Sequence, residues 1–517
     1  MTNRAISRRR ALAFGLAGLG GAVLAACGQA AAPTAAPTAA PAKPTEAPKP
    51  AEAAPTTAAA APTAGAGVGG ATPAAGATAA PAKPAEAAKP SGAPPTPAPT
   101  PTLPPEATGP VGQSGAKTTL TLWHTLGGGP DLKAFRELLT KYTTEHPDVA
   151  FKLSFVPGSS ETGPYVQKIT AAIAGGSPPD IFHMNRPAQF GAAGALYELS
   201  DFIRTMPQFD PKDFFPAAWT RNTWLDKVYG VPVIVDSRGY WINKALFKQA
   251  GLDPDKPPAT WDDLLKVNEA LTVKEGSAFK RVGFMPLFGN VQFYSYLYLN
   301  GGELLDESYK VQFNSDKGVQ VLDWLIKATD AIGGAQIVNT FQQSFSTGAN
   351  DPFIGGLVAS KIDGCWNLAT IAQYAPNLEF AVAPEPIPPG GHKATMVGGY
   401  NWSIARDSKQ PRPAFDFLAW FSLPAQSTVF AQASQNMPAR KSALDSTYIQ
   451  KNPNIKFFFD ALSYGVPYTT APWSQVMFDN VNATATQEAL YKRKSPKQAL
   501  DDAAKVVQAE VDKWVKK

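Results

Sequence analysis

The sequence predicts an α/β protein of two lobes that follows a long N-terminal segment without a core. From residue 118 onward, segments of alternating β-branched residues are followed by segments with helical periodicity. Residues 117–517 are rich in Trp, Tyr and Phe and can bury a large core, and roughly 400 residues suggest two lobes. Residues 28–116 differ, because Ala, Pro and Thr dominate there.

The first 27 residues predict an export signal. Several arginines precede an apolar run at residues 11–23, which is too short and too rich in glycine for a membrane-spanning helix. The segment Ser7-Arg8-Arg9 resembles a twin-arginine signal, and a general secretory signal stays open. The run ends at Leu24-Ala25-Ala26-Cys27, which resembles the bacterial lipobox and predicts a lipid anchor on Cys27.

Residues 28–116 predict a disordered linker. The segment has almost no aromatic or branched apolar side chains, so it cannot bury enough surface to offset its ordering entropy. Its prolines favour extended polyproline II structure. The expected role is a leash that holds a folded part near a membrane.

The folded part begins with a predicted strand–helix–strand–helix–strand series. The β-branched segment at 118–123 predicts the first strand, and 149–156 and 181–183 predict the next two. Helical periodicity marks 130–145, which His146-Pro147 ends, and 165–174. This alternation predicts a parallel α/β sheet.

Further signals follow along the chain. Thr260 has the features of a helix N-cap, because acids occupy the next turn. The other predicted elements are an extended crossing segment at 229–235, strands at 240–243, 380–383 and 403–405, helices at 244–250 and 413–422, and two amphipathic tail helices within 473–515.

A series of short motifs runs through this part in a fixed order. They are HP at 146–147, GGSPPDI at 175–181, LYEL at 196–199, YGVP at 229–232, NKALF at 243–247, AGL at 250–252, PATWDDL at 258–264, GGEL at 301–304, GCW at 364–366, GG at 398–399 and MPAR at 437–440. Together they resemble the extracellular solute-binding proteins of ABC importers, of the maltose-binding, sugar-binding type. The resemblance covers residues 120–515.

The resemblance implies a type II periplasmic-binding-protein fold, in which two discontinuous lobes are joined by hinge strands around a ligand cleft. The N-terminal lobe is expected at 117–235 plus 394–445, and the C-terminal lobe at 238–388 plus 450–517. Hinge crossings are expected at 233–238, near 385–398 and around 442–452.

The resemblance also implies a set of ligand-binding residues. Trp366 and Trp473 resemble ring-stacking aromatics, and Asp236 resembles a ligand carboxylate, although core packing and a hinge hydrogen bond are open alternatives. The other candidates are Trp123, His124, Asn185, Arg186, Tyr400, Trp402 and Arg440. Tyr400 and Trp402 lie on one face of a strand, so one or both can instead be core residues. Asn185 stands beside Arg186 where well-known members have an Asp, which leaves the identity of the ligand open.

The implied function is the capture of a carbohydrate, an oligosaccharide above all, for delivery to a permease and its ATPase subunits. The protein is then an extracytoplasmic, membrane-anchored monomer. A phosphorylated polyol or another anion is the alternative ligand, suggested by Arg186 and Arg440. A surface glycoside hydrolase stays open, because its paired acids can lie far apart in sequence. A surface adhesin is a further alternative, disfavoured by the aromatic cleft candidates.

Composition argues against other classes. The net charge is +5, and the basic residues are spread out, so no nucleic-acid-binding stripe is predicted. The four histidines form no metal-binding pair, and no cofactor motif is present, so no metal or cofactor is expected. Besides Cys27 the chain has only Cys365, so a disulfide framework is not expected.

Overall fold

The computed structural model describes residues 105–158, 163–276, 278–343, 345 and 350–515. The predicted export signal, the lipidation at Cys27 and the linker up to residue 104 lie outside the described residues. No helix in the described ranges has both the length and the apolarity needed to cross a bilayer.

The folded part begins earlier than the predicted residue 117. Pro105–Ala107 form a 3-10 turn, and Gly109–Val111 pair antiparallel with the strand at 149–155. Ala107 and Val111 are buried in the core. The predicted linker end at 116 is therefore too late, because these few apolar residues among Pro and Gly give no periodic signal.

The strands are β1 (Gly109–Val111), β2 (Thr118–His124), β3 (Val149–Phe155), β4 (Ile181–His183), β5 (Thr223–Trp224), β6 (Lys227–Val228), β7 (Val231–Asp236), β8 (Arg238–Asn243), β9 (Val273–Glu275), β10 (Ala278–Gly289), β11 (Val358–Gly364), β12 (Phe380–Ala383), β13 (Thr395–Ile404), β14 (Met437–Pro438) and β15 (Gly465–Pro467).

The helices are α1 (Gly129–Glu145), α2 (Pro164–Ala174), α3 (Pro187–Ala192), α4 (Ser200–Arg204), α5 (Pro216–Thr220), α6 (Lys244–Gln249), α7 (Trp261–Leu271), α8 (Phe293–Leu299), α9 (Asp316–Ala331), α10 (Ala335–Gln342), α11 (Asn367–Tyr374), α12 (Pro411–Phe421), α13 (Pro424–Ser434), α14 (Thr447–Lys451), α15 (Pro453–Ala461), α16 (Ser474–Met477), α17 (Thr486–Leu490) and α18 (Pro496–Val515). A π-helical stretch, Phe478–Ala485, joins α16 to α17.

The first lobe is built on one mixed sheet with the strand order β1-β3-β2-β4-β13-β7-β14. Strand β2 pairs parallel with β3 and β4, as the strand–helix alternation predicted. Strand β13 pairs antiparallel with β4 and β7, so the sheet is not parallel throughout. Helices α1, α12 and α13 cover this sheet with an aromatic core that contains Phe135, Phe417 and Phe421.

The second lobe is built on a five-stranded sheet with the order β12-β8-β11-β10-β9. Strand β8 is flanked by β11 and β12, both antiparallel to it. Trp261, Tyr296 and Trp324 meet in the core beside this sheet. The predicted cap is confirmed, because Thr260 Oγ1 accepts a hydrogen bond from the Asp263 N–H at 3.1 Å.

The two sheets are linked where the chain crosses between them. Ser237 alone separates β7 of the first sheet from β8 of the second. The second crossing runs from β12 to β13. The third lies later than the predicted 442–452: β15 pairs parallel with β13, and the chain then enters the second core at Trp473. The prediction at 442–452 came too early because α15 still packs into the first core through Phe458.

Candidate ligand-binding cleft

A buried arginine organises the floor of the cleft at the hinge. Arg238 begins β8, and its Nη1 donates to Asp236 Oδ1 and, at 3.0 Å, to the Met396 carbonyl oxygen. Its Nε and Nη2 both donate to Asn290 Oδ1, at 3.1 and 2.7 Å. A single planar guanidinium therefore joins residues from both hinge strands and from the second lobe.

Two aromatic rings pack against the same guanidinium. Its central carbon lies 5.1 Å from the Trp366 ring centre and 5.0 Å from the Tyr468 ring centre. The Tyr468 hydroxyl donates to Asn290 Oδ1 at 3.0 Å. Trp366 is half-buried, so part of its ring is accessible. A cation against an aromatic ring fixes the orientation of that ring.

The sequence Gly364-Cys365-Trp366 explains the position of the tryptophan. A Cβ atom on Gly364 would lie 2.0 Å from the Trp366 ring, so only glycine lets the ring lie over the end of β11. Cys365 is fully buried and free, and burial raises the pKa of its thiol. The thiol is thus a small core group, as the sequence suggested.

Asp236 lies in the hinge. Its Oδ1 accepts hydrogen bonds from Arg238 and, at 3.0 Å, from the Gly398 N–H. A Cβ on Gly398 would come within 2.4 Å of the same oxygen, so the glycine is required for the contact. Of the two predicted roles for Asp236, the structure shows the hinge hydrogen bonds.

A cavity of about 240 Å³ lies between the lobes beside this floor. Residues of the first lobe, of the second lobe and of the third crossing line it: Asn185, Arg186, Arg221, Gln292, Tyr294, Tyr468, Thr469, Thr470, Ser474 and Phe478. The lining is mostly polar side chains with three aromatic rings. Such a combination suits a small ligand with many hydroxyl groups.

Hydrogen bonds across the cavity tie the lobes together. Arg186 Nη1 donates to Gln475 Oε1 in the second lobe. The Thr470 hydroxyl donates to the Arg221 carbonyl oxygen at 2.9 Å. The Tyr294 hydroxyl, in contrast, is buried with no hydrogen-bond partner among the described residues. Burial raises its pKa, so it remains a donor that a ligand oxygen can satisfy.

Trp473 precedes the cavity-lining Ser474 at a contact between the lobes that we call the mouth of the cleft, and its ring is almost fully buried. The ring meets Trp224 of the first lobe at 5.4 Å and Tyr309 of the second lobe at 5.8 Å, both edge-on. In this structure the ring of Trp473, which was predicted to stack on a ligand, thus contacts two protein rings.

Two residues predicted to contact the ligand are buried within the first lobe in this structure. Trp402 is fully buried and stacks on Phe135 at 5.2 Å, on the core side of β13. Arg440 is buried too: its Nε donates to the Ser422 carbonyl oxygen at 2.7 Å, and its guanidinium lies 4.3 Å from the Phe214 ring centre. Both side chains therefore make their contacts within the first lobe.

His124 is also a core residue rather than a cleft residue. It packs against Phe135 and Phe155, and its Nδ1 accepts from the Leu126 N–H at 3.2 Å. Burial lowers its pKa to about 4, so the ring is neutral at physiological pH.

The remaining candidates, Trp123 and Tyr400, lie on β2 and β13, which are interior strands of the first sheet. Trp123 is half-buried under Lys168, whose Nζ is 4.9 Å from the ring centre. The Tyr400 ring packs against His183 at 4.3 Å and Phe430 at 6.0 Å. Among the predicted residues, the structure therefore brings Asn185 and Arg186 into the cavity and Asp236 and Trp366 to the adjacent floor.

The sequence did not indicate most of the site, including Arg238 at the floor and Arg221, Tyr294 and Tyr468 in the cavity lining. One signal was available, because Arg238 lies two residues after Asp236 within the mostly apolar segment 231–242, so the two opposite charges had reason to pair. The others face the cavity only through contacts between segments that are distant in sequence.

A two-lobed α/β fold with a polar cavity between its lobes defines a class of binding proteins that close around a small ligand. Residues 127–428 match the family described as bacterial extracellular solute-binding protein, and the chain belongs to this family.

Relatives and solved structures agree with this assignment. The sn-glycerol-3-phosphate-binding periplasmic protein UgpB of Escherichia coli (strain K12) is 24% identical over 422 residues, which are 76% of this chain and 92% of the relative. The arabinooligosaccharide-binding protein of Bacillus subtilis (strain 168) is 26% identical over 319 residues, 60% and 70% of the two chains. The structure of CpMnBP1 with mannotriose bound is 31% identical with a TM-score of 0.67, covering 75% of this chain and 100% of that chain. The predicted two-lobed fold is confirmed.

Proposed function

We propose that this chain captures an oligosaccharide between its lobes and delivers it to an ABC importer. The observation that carries the proposal is the half-buried Trp366 ring, fixed by Arg238 beside a cavity with a buried, unpartnered Tyr294 hydroxyl. Sugars present an apolar face of C–H groups to an aromatic ring and hydroxyls to polar groups.

The names of the relatives support the same ligand class. CpMnBP1 is solved with mannotriose and, at 30% identity, with mannobiose, and the Bacillus subtilis relative is named for arabinooligosaccharides. Mannotriose is therefore the first ligand to test. We expect no catalysis, because these relatives are named as binding proteins.

The N-terminal sequence supports the cellular setting of the proposal. A lipid on Cys27 would hold the monomeric protein at a membrane outside the cytoplasm, and residues 28–104 would let the lobes reach a permease, which works with its ATPase subunits. Cys27→Ser should release the protein from the membrane fraction in cells that express it.

The test is isothermal titration of the purified chain with mannotriose. We expect saturable binding that Trp366→Ala weakens at least tenfold. Trp420→Ala is the matched control, because Trp420 is also half-buried but lies on α12, where its Nε1 donates to Glu145 at 2.9 Å. Equal loss in both variants, or no binding across a panel of oligosaccharides, would contradict the proposal.

A phosphorylated polyol is the second candidate. Arg186 and Arg221 both line the cavity, and the Escherichia coli relative is named for sn-glycerol 3-phosphate. Binding of sn-glycerol 3-phosphate that Arg186→Ala abolishes, together with no binding of mannotriose, would favour this ligand.

A further inference from the structure

A lysine is buried inside the second lobe, close to the end of the strand that leads to Trp366. Lys361 lies on β11 and is 1% exposed. Its Nζ donates to Asn367 Oδ1 at 2.8 Å and forms ion pairs with Asp363 at 3.0 Å and Asp351 at 3.4 Å. Apolar side chains of similar volume often stabilise a buried position as well as an ion pair does, so stability alone does not account for this lysine.

The surroundings of the ammonium group leave it one arrangement. A lysine has three N–H donors, and they match the three oxygen partners. The rings of Phe288 and Phe353 lie on its other sides, with their centres 5.8 and 5.3 Å from Nζ. A fully partnered, buried charge of this kind makes its neighbourhood rigid.

Two of these partners hold the backbone of one glycine. Asp363 Oδ1 accepts a hydrogen bond from the Gly364 N–H at 2.8 Å. Asn367 Nδ2 donates to the Gly364 carbonyl oxygen at 3.0 Å. Lys361, Asp363 and Asn367, which we name the lysine cluster, therefore close a ring of contacts in which both backbone polar groups of Gly364 are bonded.

Gly364 is the residue over which the Trp366 ring lies. A Cβ atom there would lie 2.0 Å from the indole, so the ring rests directly on this backbone. A rotation of the Gly364 peptide would therefore displace the ring. Arg238 contacts the ring from the hinge, 5.1 Å from its centre, but makes no printed contact with the backbone beneath it. The lysine cluster fixes that backbone.

We propose that Lys361 is a positioning residue for the ligand. Through Asp363 and Asn367 it holds Gly364 so that the Trp366 ring has its ligand-stacking orientation before a sugar arrives. The inference rests on the proposed function, because it gives Trp366 the role of the stacking aromatic. A ring that is already ordered loses less conformational freedom on binding, so the cluster raises affinity although Lys361 itself does not line the cavity.

The test uses two variants of the cluster and one matched control. Lys361→Met removes the ammonium group, and Asn367→Ala removes the bond to the Gly364 carbonyl oxygen while Lys361 keeps its two carboxylates. Arg440→Met is the control, because Arg440 is also a buried cation with one ion pair, to Asp213 at 3.4 Å, and two phenylalanine rings against it, but it lies in the first lobe.

Two measurements are made on the purified chain. Fluorine NMR of protein that carries fluorotryptophan reports the orientation and order of Trp366 without ligand, and the loss of one resonance in Trp366→Phe assigns it. Isothermal titration with mannotriose gives the affinity of each variant, alone and combined with Trp366→Phe.

We expect the Trp366 resonance to shift or broaden in both cluster variants and to stay unchanged in Arg440→Met. Mannotriose affinity should fall about fivefold or more in the cluster variants and change by less than about twofold in the control. On top of Trp366→Phe, either cluster change should cost less than about twofold more, because both act through the same ring.

A cluster that only stabilised the second lobe would leave the resonance of the folded variants in place. An unchanged resonance in both cluster variants, the same change in Arg440→Met, or affinity losses that multiply with that of Trp366→Phe would overturn the inference. Asn367→Ala decides the question if Lys361→Met does not fold. Failure of the proposed function shows separately, because the wild type would then not bind mannotriose, while the spectra without ligand still test how the ring is held.

Discussion

The floor and the mouth of the cleft are held by different kinds of contact. At the floor, one buried guanidinium joins Asp236, Asn290 and Met396 and supports two aromatic rings. At the mouth, the lobes meet through the Trp224–Trp473 ring contact and the Arg186–Gln475 hydrogen bond. The floor contacts lie where the chain crosses between the lobes, so we expect them to persist when the lobes open, whereas the mouth contacts should separate. We therefore expect the floor to set the shape of the site and the mouth to set how often it is closed.

Removal of the floor arginine should have the largest effect. Arg238→Leu leaves the Asp236 carboxylate buried without its partner, which should lower the free energy of unfolding by about 3–5 kcal/mol. Urea denaturation measures this change. Arg406→Leu is the control and should cost less than about 0.5 kcal/mol, because Arg406 is exposed. A loss below about 1 kcal/mol at Arg238 would show that the floor is not held by this group.

The floor also predicts a dependence of stability on pH. Glu385 is buried between β12 and β13, and burial raises its pKa to about 7, with Arg238 and a hydrogen bond from Thr395 acting in the opposite direction. Tyr296 and Tyr464 also face it, and both stay neutral because burial raises the pKa of each.

The sign follows from the raised pKa. An unfolded chain releases this proton near pH 4.5, so the contribution of Glu385 to stability is complete below that pH and is lost as the pH rises to about 7. The loss is of order 3 kcal/mol, the free energy that corresponds to moving the pKa from 4.5 to about 7. Glu385→Gln should remove this loss of stability. The free energy of unfolding of the variant should therefore rise relative to that of the wild type as the pH increases from 5 to 8.

Denaturation of both proteins across this pH range checks the prediction. The buried His124 and His183 act in the opposite direction, since burial lowers the pKa of each to about 4 and about 3, and they cancel in the difference between the two proteins. If the difference in free energy of unfolding between the two proteins does not change with pH, Glu385 does not have the raised pKa.

The smallest expected effect is at the mouth. In a double-mutant cycle of Trp224→Leu and Trp473→Leu, the coupling in mannotriose binding free energy should be about 0.5–1.5 kcal/mol, because the ring pair stabilises only the closed state. The control pair is Tyr197 and Phe202, whose rings stack at 5.3 Å within the first lobe and should show no coupling in affinity. Coupling near zero at the mouth would make this contact incidental.

Much of the fold was accessible from the sequence. Strand β4 and strand β12 match their predicted bounds, and α1 and α2 each begin one residue earlier than predicted. Most of these segments have a clear hydrophobic periodicity or clear end signals, such as His146-Pro147. Strand β1 has neither, because it is only three residues long and is formed by its pairing with β3.

The site was predictable only in part. Arg186 follows β4 of the first sheet and Trp366 follows β11 of the second, and ligands of α/β proteins commonly bind outside the carboxyl ends of strands. The period of a strand shows that Tyr400 and Trp402 share a face but not whether that face meets the core or the cleft. The role of Arg238 depends on Asn290 and Tyr468, which lie far away in sequence and meet it only in the folded hinge.

The most direct test of a sugar held between both lobes is hydrogen–deuterium exchange of the full chain with and without saturating mannotriose. We expect slower exchange in residues 364–368 at the floor and 468–475 at the third crossing, and no change in α12, which contributes no residue to the cavity lining. No protection at saturation, or protection confined to one lobe, would contradict this expectation.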